Sequence, residues 1–523
     1  MRTALAGELA VLANRLSRIA QADRHTRDFT VNVLRRALME VVACFPVGRS
    51  YVTRAGASAE DRRYIDWAVA VARKKSRDVD ASVFDFVRGV LTLSIADGKS
   101  ADYRDRVTAF AMRIQQFTAP VMAKGVEDTA FYVYNRLTSL NEVGGDPRTF
   151  GFSLAAFHAA GEDRAASWPW TLINTSTHDA KRSEDVRARI NVLSEMPAAW
   201  RLSLRRWSRF NRSKRHTLNG VPAPSRNDEY LLYQTLLGVW PQPAPDQREL
   251  DDLRGRIERY MLKAVREAKR HSNWINPNQD YEQALSQFIA ALLRSSPRNA
   301  FLADFQLLAE RVARFGLFNS LSQTLIKLMS PGVPDIYQGS ELWQFNLVDP
   351  DNRRPVDYAR RRRMLCELRD AFSIADEQVA RRAGGLTEQM EDGRIKLYLT
   401  WRALQLRARR QDLFQDGDYV PLLASGALAH HVVAFARRHR SACVVVVAPR
   451  LLARLVDDPQ RLPLPATAWA DTAVALPWLP QQICLHNVLT GRMVPLMPGI
   501  PGPRLSISVA IGDFPVALLE CEA

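Results

Sequence analysis

The chain contains 523 residues, of which 47% are hydrophobic and 24% are charged. This balance is typical of a globular protein, and the length predicts two or three domains with room for a barrel in one of them. The formal net charge of +16 would suit a nucleic-acid-binding protein, but 56 acidic residues accompany the 72 basic ones and no nucleic-acid-binding motif is present. We therefore predict that nucleic acid is not a partner.

The lack of a recognisable targeting signal and the spacing of the cysteines predict a cytoplasmic protein. The first residues, MRTALAGELAVLANRL, contain Glu8 within their apolar stretch and predict an amphipathic helix, not a signal peptide. The longest apolar runs, such as 444–448, are too short to cross a membrane. The five cysteines are scattered without a C-x-x-C spacing, which indicates reduced thiols. No segment has the spacing of a metal site, so we predict neither a metal nor a cofactor.

Residues 1–120 are predicted to form a helical subdomain. In TRDFTVNVLRRALMEVVACFP, the residues Leu34, Leu38 and Val41 recur on one helix face, and Pro46 ends the pattern. The segments YIDWAVAVARKK and VFDFVRGVLTLSI continue in the same style and predict further amphipathic helices.

The next predicted domain, residues 121–390, mixes loops, strands and helices. Its predicted elements, in chain order, are a loop at 120–147, a strand at 171–177, amphipathic helices over 198–320 and a second strand near 325–337. The helix after the first strand carries Glu184 and Asp185 in its first turn, where carboxylates interact favourably with the helix dipole.

From residue 391 onward, short β-type runs alternate with glycine, proline and polar turns. The runs are RIKLYLTW, HHVVAFARR, ACVVVVAPR and LHNVLTGRMVPL. The continuous apolar run at 444–447 is typical of a strand that is buried on both faces. We therefore predict a C-terminal β-sandwich over residues 391–523.

A His-Asp pair, His178-Asp179, lies between the predicted strand at 171–177 and the helix that follows it. Functional side chains of (β/α) barrels lie at this position, the carboxyl end of a strand. An alternative is that Asp179 caps the helix that starts near Ser183, with His178 as a turn residue. The segment alone leaves both interpretations open.

Charged and aromatic residues are interleaved in MAKGVEDTAFYVYNRLTSLNEVGGDP, residues 122–147. Aromatic rings stack on the C–H face of a sugar while carboxylates accept hydrogen bonds from its hydroxyl groups, so this composition suits a carbohydrate. Core aromatic residues beside surface ion pairs at a helix–loop junction would give the same composition. Both interpretations stay open here too.

The segment SPGVPDIYQGSELWQFNLVDPDNRRPVDY, residues 330–358, presents polar and aromatic groups on a stiff backbone. Its prolines, which include Pro350 and Pro355, keep the stretch out of regular helix. Such a stiff, polar loop after a strand suits the rim of a binding site. An ordinary network of turns is the alternative.

Together these segments resemble the α-amylase superfamily, in which the seventh barrel strand ends in His-Asp and a Gly-x-Pro, Tyr-x-Gly and Glu loop follows the eighth. Five segments are similar, in order and spacing, to the maltooligosyl trehalose synthase family. They are the two segments at 122–147 and 330–358, together with TSTHDAKRSEDVRAR, NDEYLLYQTLLGVWP and YMLKAVREAKRHSNW. The opening helices and the closing DFPVALL also match, so the resemblance covers nearly the whole chain. Two departures are Ala180, where the family has Thr, and the HSNW run at 271–274, which replaces a Thr-Ser-Trp pattern.

The resemblance implies an α/β fold, the C-terminal part of a (β/α)8 barrel with large helical insertions, followed by an all-β sandwich. It also implies an isomerase of trehalose biosynthesis. Such an enzyme, a (1→4)-α-D-glucan 1-α-D-glucosylmutase, converts the reducing-end α-1,4 bond of a maltooligosaccharide into an α,α-1,1 bond by intramolecular transglucosylation. A closed pocket must keep water from the glycosyl-enzyme intermediate during this reaction.

By motif position, Asp179 is the carboxylate that stabilises the transition state, and His178 hydrogen-bonds sugar hydroxyls beside it. The other residues that we assign to substrate binding are Lys124, Glu127, Asp128, Phe131, Tyr132, Tyr134, Arg136, Glu142, Lys181, Arg182, Asp335, Tyr337, Gln338, Glu341, Asp349, Asp351, Arg353 and Arg354.

Two bond-cleaving carboxylates are missing from this set. A retaining reaction needs a nucleophile and a general acid/base about 5–5.5 Å apart. Upstream of Asp179 we find neither a strand that ends in a G-x-R-x-D-like motif nor a later strand that ends in the acid Glu. Should the chain be active alone, Glu127, Asp128 and Glu142 would be the first candidates.

We therefore expect a C-terminal portion of the family's sequence that lacks the first five barrel strands. Part of a barrel leaves open sheet edges and an exposed apolar interior. Such a chain should have no synthase activity alone, and should aggregate or bind a complementary N-terminal fragment. Its small-molecule partner would be a maltooligosaccharide. The alternatives are a glucan hydrolase of the same superfamily and a non-catalytic maltooligosaccharide-binding protein.

Overall fold

Amphipathic helices form the first part of the chain. The computed structural model describes residues 1, 5–373 and 377–521. The first helices are α1 (Ala6–Ala20), α2 (Val31–Ala43), α3 (Ala59–Lys75), α4 (Ala81–Leu91) and α5 (Ala101–Met122). Helix α2 is capped by Thr30, whose Oγ1 accepts a hydrogen bond from the N–H of Val33 at 3.4 Å. Its predicted stripe of Leu34, Leu38 and Val41 is buried, which confirms the helical pattern.

Contacts divide the chain into two units, Met1–Tyr132 and Val133–Ala523, which we describe separately. The first unit has its own hydrophobic core, to which each of its helices contributes, as Leu16, Leu38 and Phe84 illustrate. The three domains that the sequence predicts, with boundaries after residues 120 and 390, stay a prediction.

Helices also make up much of the second unit. They are α6 (Leu154–Ser167), α7 (Glu184–Asn191), α8 (Pro197–Phe210), α9 (Arg226–Val239), α10 (Gln247–Ala268), α11 (Gln279–Leu292), α12 (Ala300–Met329), α13 (Tyr358–Ala371), α14 (Glu377–Glu388), α15 (Arg394–Arg409), α16 (Gln411–Gln415) and α17 (Ile507–Ile511). Within the described ranges, no helix has both the length and the apolar content needed to cross a lipid bilayer.

Helix α12 lies at the centre of the second unit. Its buried residues lie all around the helix, as expected for a helix that is covered on every side. It contacts α7, α15 and the C-terminal sheet. A Cβ added to Gly316 would lie 3.0 Å from Cα of Arg189, so this glycine lets α12 approach α7 closely. The close approach fixes the position of α7, which begins just after the His-Asp pair.

Two short parallel strands lie at the candidate site. The strands of this part of the chain are β1 (Leu172–Ile173), β2 (His216–Leu218), β3 (Val221–Ala223) and β4 (Val333–Pro334). Strands β1 and β4 are parallel, with Leu172 opposite Val333, and the N–H of Asp335 donates to the carbonyl of Ile173 at 2.7 Å. Their carboxyl ends therefore lie at the same edge. Strands β2 and β3 form an antiparallel hairpin elsewhere.

The C-terminal part contains most of the remaining β-structure. Its strands are β5 (Asp418–Leu422), β6 (Ala424–Ser425), β7 (Val432–His439), β8 (Ala442–Pro449), β9 (Ala473–Ala475), β10 (Cys484–Asn487), β11 (Met493–Pro495), β12 (Arg504–Ser506) and β13 (Ala517–Cys521). In the described residues they form an antiparallel sheet of order β11-β10-β13-β8-β7-β5 and a smaller sheet of order β12-β9-β6. The side chains of 444–447 are fully buried, as their apolar run predicts. The predicted mixture of helices with a β-sheet region is confirmed.

Three predicted strands are wrong in type or extent. The strand predicted at 171–177 is only Leu172–Ile173. The run RIKLYLTW lies in α15, not in a strand. Its alternating Ile395, Leu397 and Leu399 suggested period two, but every residue from 395 to 400 is buried, so alternation carries no information about the backbone. Residues 325–329 end α12, and the strand predicted near them is only Val333–Pro334.

Candidate functional site

The His178-Asp179 pair lies in the loop that connects β1 to α7, and both residues are exposed. The Asp179 side chain is 53% exposed, and its Oδ1 lies 3.6 Å from Nζ of Lys181. The Asp179 N–H donates to Thr177 Oγ1 at 3.2 Å, which turns the chain before the helix. The N-cap residue of α7 is Ser183, so the alternative in which Asp179 caps this helix is wrong. The Asp179 carboxylate is thus accessible to a ligand.

Glu142 holds the segment that follows Asp179. Its Oε1 accepts a hydrogen bond from the N–H of Lys181 at 2.9 Å, and its Oε2 accepts one from the N–H of Arg182 at 3.3 Å. Arg187 Nε lies 3.7 Å from the same Oε2, and the Glu142 side chain is 16% exposed. The N–H of Val143 also donates to Oε1 at 2.9 Å, so the carboxylate is bonded to three backbone N–H groups and its geometry supports a role in shaping the loop.

The loop after β1 is bonded to the loop after β4. The N–H of Ser183 donates to the carbonyl of Asn346 at 3.0 Å, and the N–H of Asn346 donates to Ser183 Oγ at 3.2 Å. Asn352 Nδ2 donates to the carbonyl of His178 at 2.7 Å. In proteins with parallel β-strands, binding sites commonly lie in the loops that follow the carboxyl ends of neighbouring strands. The cross-bonds hold both loops in one arrangement at the edge that also carries the exposed Asp335.

Arg256, on α10, fixes the far end of the second loop. Its Nε and Nη2 each donate to the carboxylate of Asp351 at 2.9 Å, and Nη2 also donates to the carbonyl of Phe345 at 2.6 Å. The N–H of Leu347 donates to the same carboxylate at 2.8 Å. Burial alone would raise the pKa of Asp351, but the bonds from Arg256 outweigh it and hold the pKa below its usual value.

Because its pKa is lowered on folding, the Asp351 carboxylate should stabilise the folded chain above its unfolded pKa of about 3.9 and lose this effect as pH falls through the folded pKa. We expect Asp351→Asn to lower the free energy of unfolding by about 1–3 kcal/mol at pH 7, and the difference from wild type to become smaller as pH falls. Urea unfolding at pH 7 and at pH 3 measures it. Asp349→Asn is the matched control, because the ion pair of Asp349 with Arg353 is more exposed and exposed pairs contribute little. An equal loss at both pH values would contradict this prediction.

Below the two loops lies a buried charge cluster, which we define as Glu184, Asp185, Lys327 and Lys396. Lys396 Nζ, which is fully buried, lies 2.7 Å from Glu184 Oε1 and 3.0 Å from both carboxylate oxygens of Asp185. Lys327 Nζ lies 3.1 Å from Glu184 Oε2. Both carboxylate residues are 1% exposed. The cluster joins α7, α12 and α15 by charge-assisted hydrogen bonds.

Charge compensation decides the protonation of this cluster. Burial would raise the pKa of Glu184, but Lys396 and Lys327 outweigh it and lower that pKa to about 2. Burial would likewise lower the pKa of Lys396, yet the two carboxylates raise it. For Asp185, burial exceeds the effect of Lys396 and keeps the pKa above its ordinary value. The charge on Lys396 therefore counters the cost of two adjacent buried carboxylates.

The structure brings together only part of the predicted substrate-binding set. Predicted residues in the first unit are Lys124, Glu127, Asp128, Phe131 and Tyr132. In the second unit, exposed members are Tyr134, Arg136, His178, Asp335, Gln338 and Arg353, while Tyr337 is half-buried and Lys181 is buried beside Asp179. Members bonded to other protein groups are Glu142, Arg182, Glu341, Asp349, Asp351 and Arg354.

Several members of this last group are occupied inside the protein. Arg182 is buried, and its Nη2 donates to the hydroxyl of Tyr260 at 2.7 Å. Glu341 forms an ion pair with Arg361 at 3.1 Å. These bonds tie both side chains to neighbouring parts of the protein.

Sequence reasoning missed the residues that brace the two loops. They are Ser183, Arg256, Lys327, Asn346, Asn352 and Lys396, and Glu184 and Asp185 were assigned only a helix-dipole role. The sequence contains one signal that could have found part of this set. Glu184 and Asp185 directly precede Val186 in a helix that is buried on most sides, and buried carboxylates require cationic partners.

Curated relatives and solved structures agree on the proteins to which this chain is similar. No protein-family model matches the chain. Two Mycobacterium tuberculosis proteins named maltooligosyl trehalose synthase, from strains CDC 1551 and H37Rv, are 39% identical over 367 residues, 69% of this chain. The chain spans 42% of the length of these curated relatives.

Solved structures show the same likeness. The maltooligosyltrehalose synthase of Arthrobacter ramosus is 33% identical with a TM-score of 0.73, and the match covers 100% of this chain and 59% of that one. The corresponding protein of Sulfolobus tokodaii is 27% identical with a TM-score of 0.65, over 98% of this chain and 58% of the other.

Proposed function

Since the chain belongs to the maltooligosyl trehalose synthase family, we propose that it forms the part of such an enzyme that binds the reducing end of a maltooligosaccharide. The reaction that we propose for the assembled enzyme is intramolecular transglucosylation, from the terminal α-1,4 bond to an α,α-1,1 bond. The observation that carries this proposal is the accessible Asp179 carboxylate on a loop that is cross-bonded to the loop of the neighbouring parallel strand.

Asp179 and His178 have distinct roles in this proposal. The exposed Asp179 carboxylate accepts hydrogen bonds from ring hydroxyl groups and favours the distorted sugar of the transition state, where positive charge develops. His178 hydrogen-bonds a hydroxyl beside it. The hydrogen bond from Asn352 to the carbonyl of His178 supports a fixed distance between this pair and the second loop.

We further propose that β1 and β4 are the seventh and eighth strands of a (β/α)8 barrel. Their parallel pairing and the central helix α12 before β4 support this assignment. In the same way, the larger and smaller C-terminal sheets would be the two layers of a β-sandwich.

The nucleophile and the general acid/base come, in this proposal, from a polypeptide segment other than the residues around Asp179. Glu142, whose carboxylate is bonded to the segment after the His-Asp pair, already accepts hydrogen bonds from three backbone N–H groups. A nucleophile needs a free oxygen aimed at the sugar, and these bonds leave Glu142 poorly placed for that role. We therefore propose that the 523 residues alone have no synthase activity.

The parallel pair β1–β4 is the surface at which a complementary segment would dock. Isolated two-stranded parallel sheets are not stable, because parallel sheets are normally covered on both faces. Large apolar side chains are exposed beside this pair, among them Trp168 (68%), Trp170 (61%) and Leu172 (70%). Further parallel strands with apolar side chains fit such an edge, and the curated relatives contain residues beyond the match that could supply them.

Complementation tests these proposals. The segment of the Mycobacterium tuberculosis relative that this chain does not match is produced separately and mixed with the 523-residue chain. We expect the mixture to form trehalose-ended sugar from maltopentaose and each part alone to form none. Turnover by the chain alone would show that the bond-cleaving pair lies within it. Release of free glucose would instead indicate a hydrolase, and binding without turnover a glucan-binding protein.

A further inference from the structure

Lys396 connects the two loops from below. Its Nζ bonds Glu184 and Asp185 together, and each of these carboxylate residues is bonded to a different loop. On the first loop, the N–H of Glu184 donates to Ser176 Oγ at 2.8 Å, and Thr175 Oγ1 donates to the Glu184 carboxylate. Both contacts lie within three residues of His178.

Asp185 makes the connection to the second loop. Its Oδ2 accepts a hydrogen bond from the N–H of Gln344 at 2.7 Å, and its Oδ1 accepts one from Ser320 Oγ of α12 at 2.7 Å. Gln344 lies two residues before Asn346, which bonds back to Ser183 of the first loop. A closed ring of contacts therefore runs from Lys396 through both loops.

We propose that Lys396 is a positioning residue that sets the spacing between the His178-Asp179 loop and the loop at 344–352. This role deepens the proposed sugar-binding function and rests on it. The ammonium group bonds two adjacent carboxylates at the point from which both loops are held, so a change at Lys396 should move both loops and the exposed groups that they carry. A displacement of about 1 Å at a reacting group can cost on the order of 100-fold in rate.

The charged groups around Glu184 and Asp185 predict the result of removing Lys396. In the described residues these groups are Lys396 of α15, Lys327 of α12 and Arg189 of α7. Lys327 bonds only Glu184, so in Lys396→Met the Asp185 carboxylate loses its bonded cation and repels Glu184. Two such carboxylates share one proton as pH falls, which relieves the repulsion. The variant should therefore show a stronger pH dependence than wild type between pH 8 and pH 5.5.

The test compares wild type, Lys396→Met and Lys396→Met/Asp185→Asn. Hydrogen–deuterium exchange of peptides covering 176–183 and 344–352 measures loop order, and calorimetry with maltopentaose measures affinity. At pH 8 we expect both peptides of Lys396→Met to exchange faster than those of wild type at the same pH, and maltopentaose to bind at least 10-fold more weakly than to wild type. At pH 5.5 both differences from wild type should be smaller. The double variant, in which the repelling carboxylate is neutral, should bind with the same affinity at both pH values and more tightly than Lys396→Met at pH 8.

Arg437→Met is the matched control, because Arg437 is also buried but donates to carbonyls of residues 414 and 417, away from both loops. Exchange in the two peptides no faster than in this control, or a pH-independent loss in Lys396→Met, would overturn the inference. If Lys396→Met does not fold, a double variant that folds with slow exchange supports the inference, and one with disordered loops overturns it. Failure of wild type to bind maltopentaose would reject the proposed function alone, since the exchange measurement does not depend on sugar.

Discussion

Asp179→Asn is expected to weaken maltopentaose binding by about 1–3 kcal/mol, or roughly 5- to 150-fold in Kd. The change keeps the size of the side chain but removes its charge and replaces one acceptor oxygen with a donor. A hydroxyl that donates to the carboxylate then loses its charged acceptor. The Asp179 side chain is 53% exposed, but its Oδ1 lies 3.6 Å from Nζ of the buried Lys181, so urea unfolding of the variant is measured as well, to separate a loss of stability from a loss of sugar binding.

A larger effect is expected on turnover once the complementary segment is supplied. A group that interacts more strongly with the transition state than with the ground state lowers kcat when it is removed. By comparison with the loss of other transition-state-stabilising groups, we expect a decrease in kcat of about 10²- to 10³-fold. Asp163→Asn is the control, because Asp163 is an exposed carboxylate on α6 away from the loops. Unchanged affinity and unchanged kcat in Asp179→Asn would remove Asp179 from the proposed site.

The position of the His-Asp loop could be predicted because its signals are local. The carboxylates at 184 and 185, and the apolar positions after them, mark a helix start within a few residues of His178. Strands β7 and β8 could also be predicted from the sequence, since a run of β-branched residues such as 444–447 is typical of a buried strand.

The braces of the site could not be predicted, because they join residues that are distant in the sequence. Lys396 is more than 200 positions from the carboxylates that it bonds. It also lies in RIKLYLTW, where burial on all sides removed the periodicity that distinguishes a helix from a strand. Arg256 likewise meets Asp351 across 95 positions. Charge pairs of this kind have no local pattern, so only the fold reveals them.

Gly332→Ala is expected to cause the largest loss of stability among these changes. Gly332 precedes β4 with φ of +113°, a conformation that L side chains rarely adopt. A Cβ there would lie 2.7 Å from the carbonyl oxygen of Thr171 and 2.7 Å from Cδ1 of Ile173. The backbone strain and the overpacking each cost about 1–3 kcal/mol, so the free energy of unfolding should fall by about 2–6 kcal/mol.

The position of the clash makes this more than a local defect. The same Thr171 carbonyl accepts the hydrogen bond from the N–H of Val333 at 2.9 Å, so a methyl group at 332 forces β1 and β4 apart where they pair. Gly220→Ala separates the two causes, because Gly220 has φ of +79° in the β2–β3 hairpin with open space around its Cβ position. In Gly220→Ala the free energy of unfolding should therefore fall only by the conformational strain, about 1–2 kcal/mol. Urea unfolding followed by circular dichroism measures both variants. If the free energy of unfolding falls equally in the two variants, the space between β1 and β4 accommodates a methyl group. That result would contradict the close pairing of β1 and β4 as the feature that holds the two loops together.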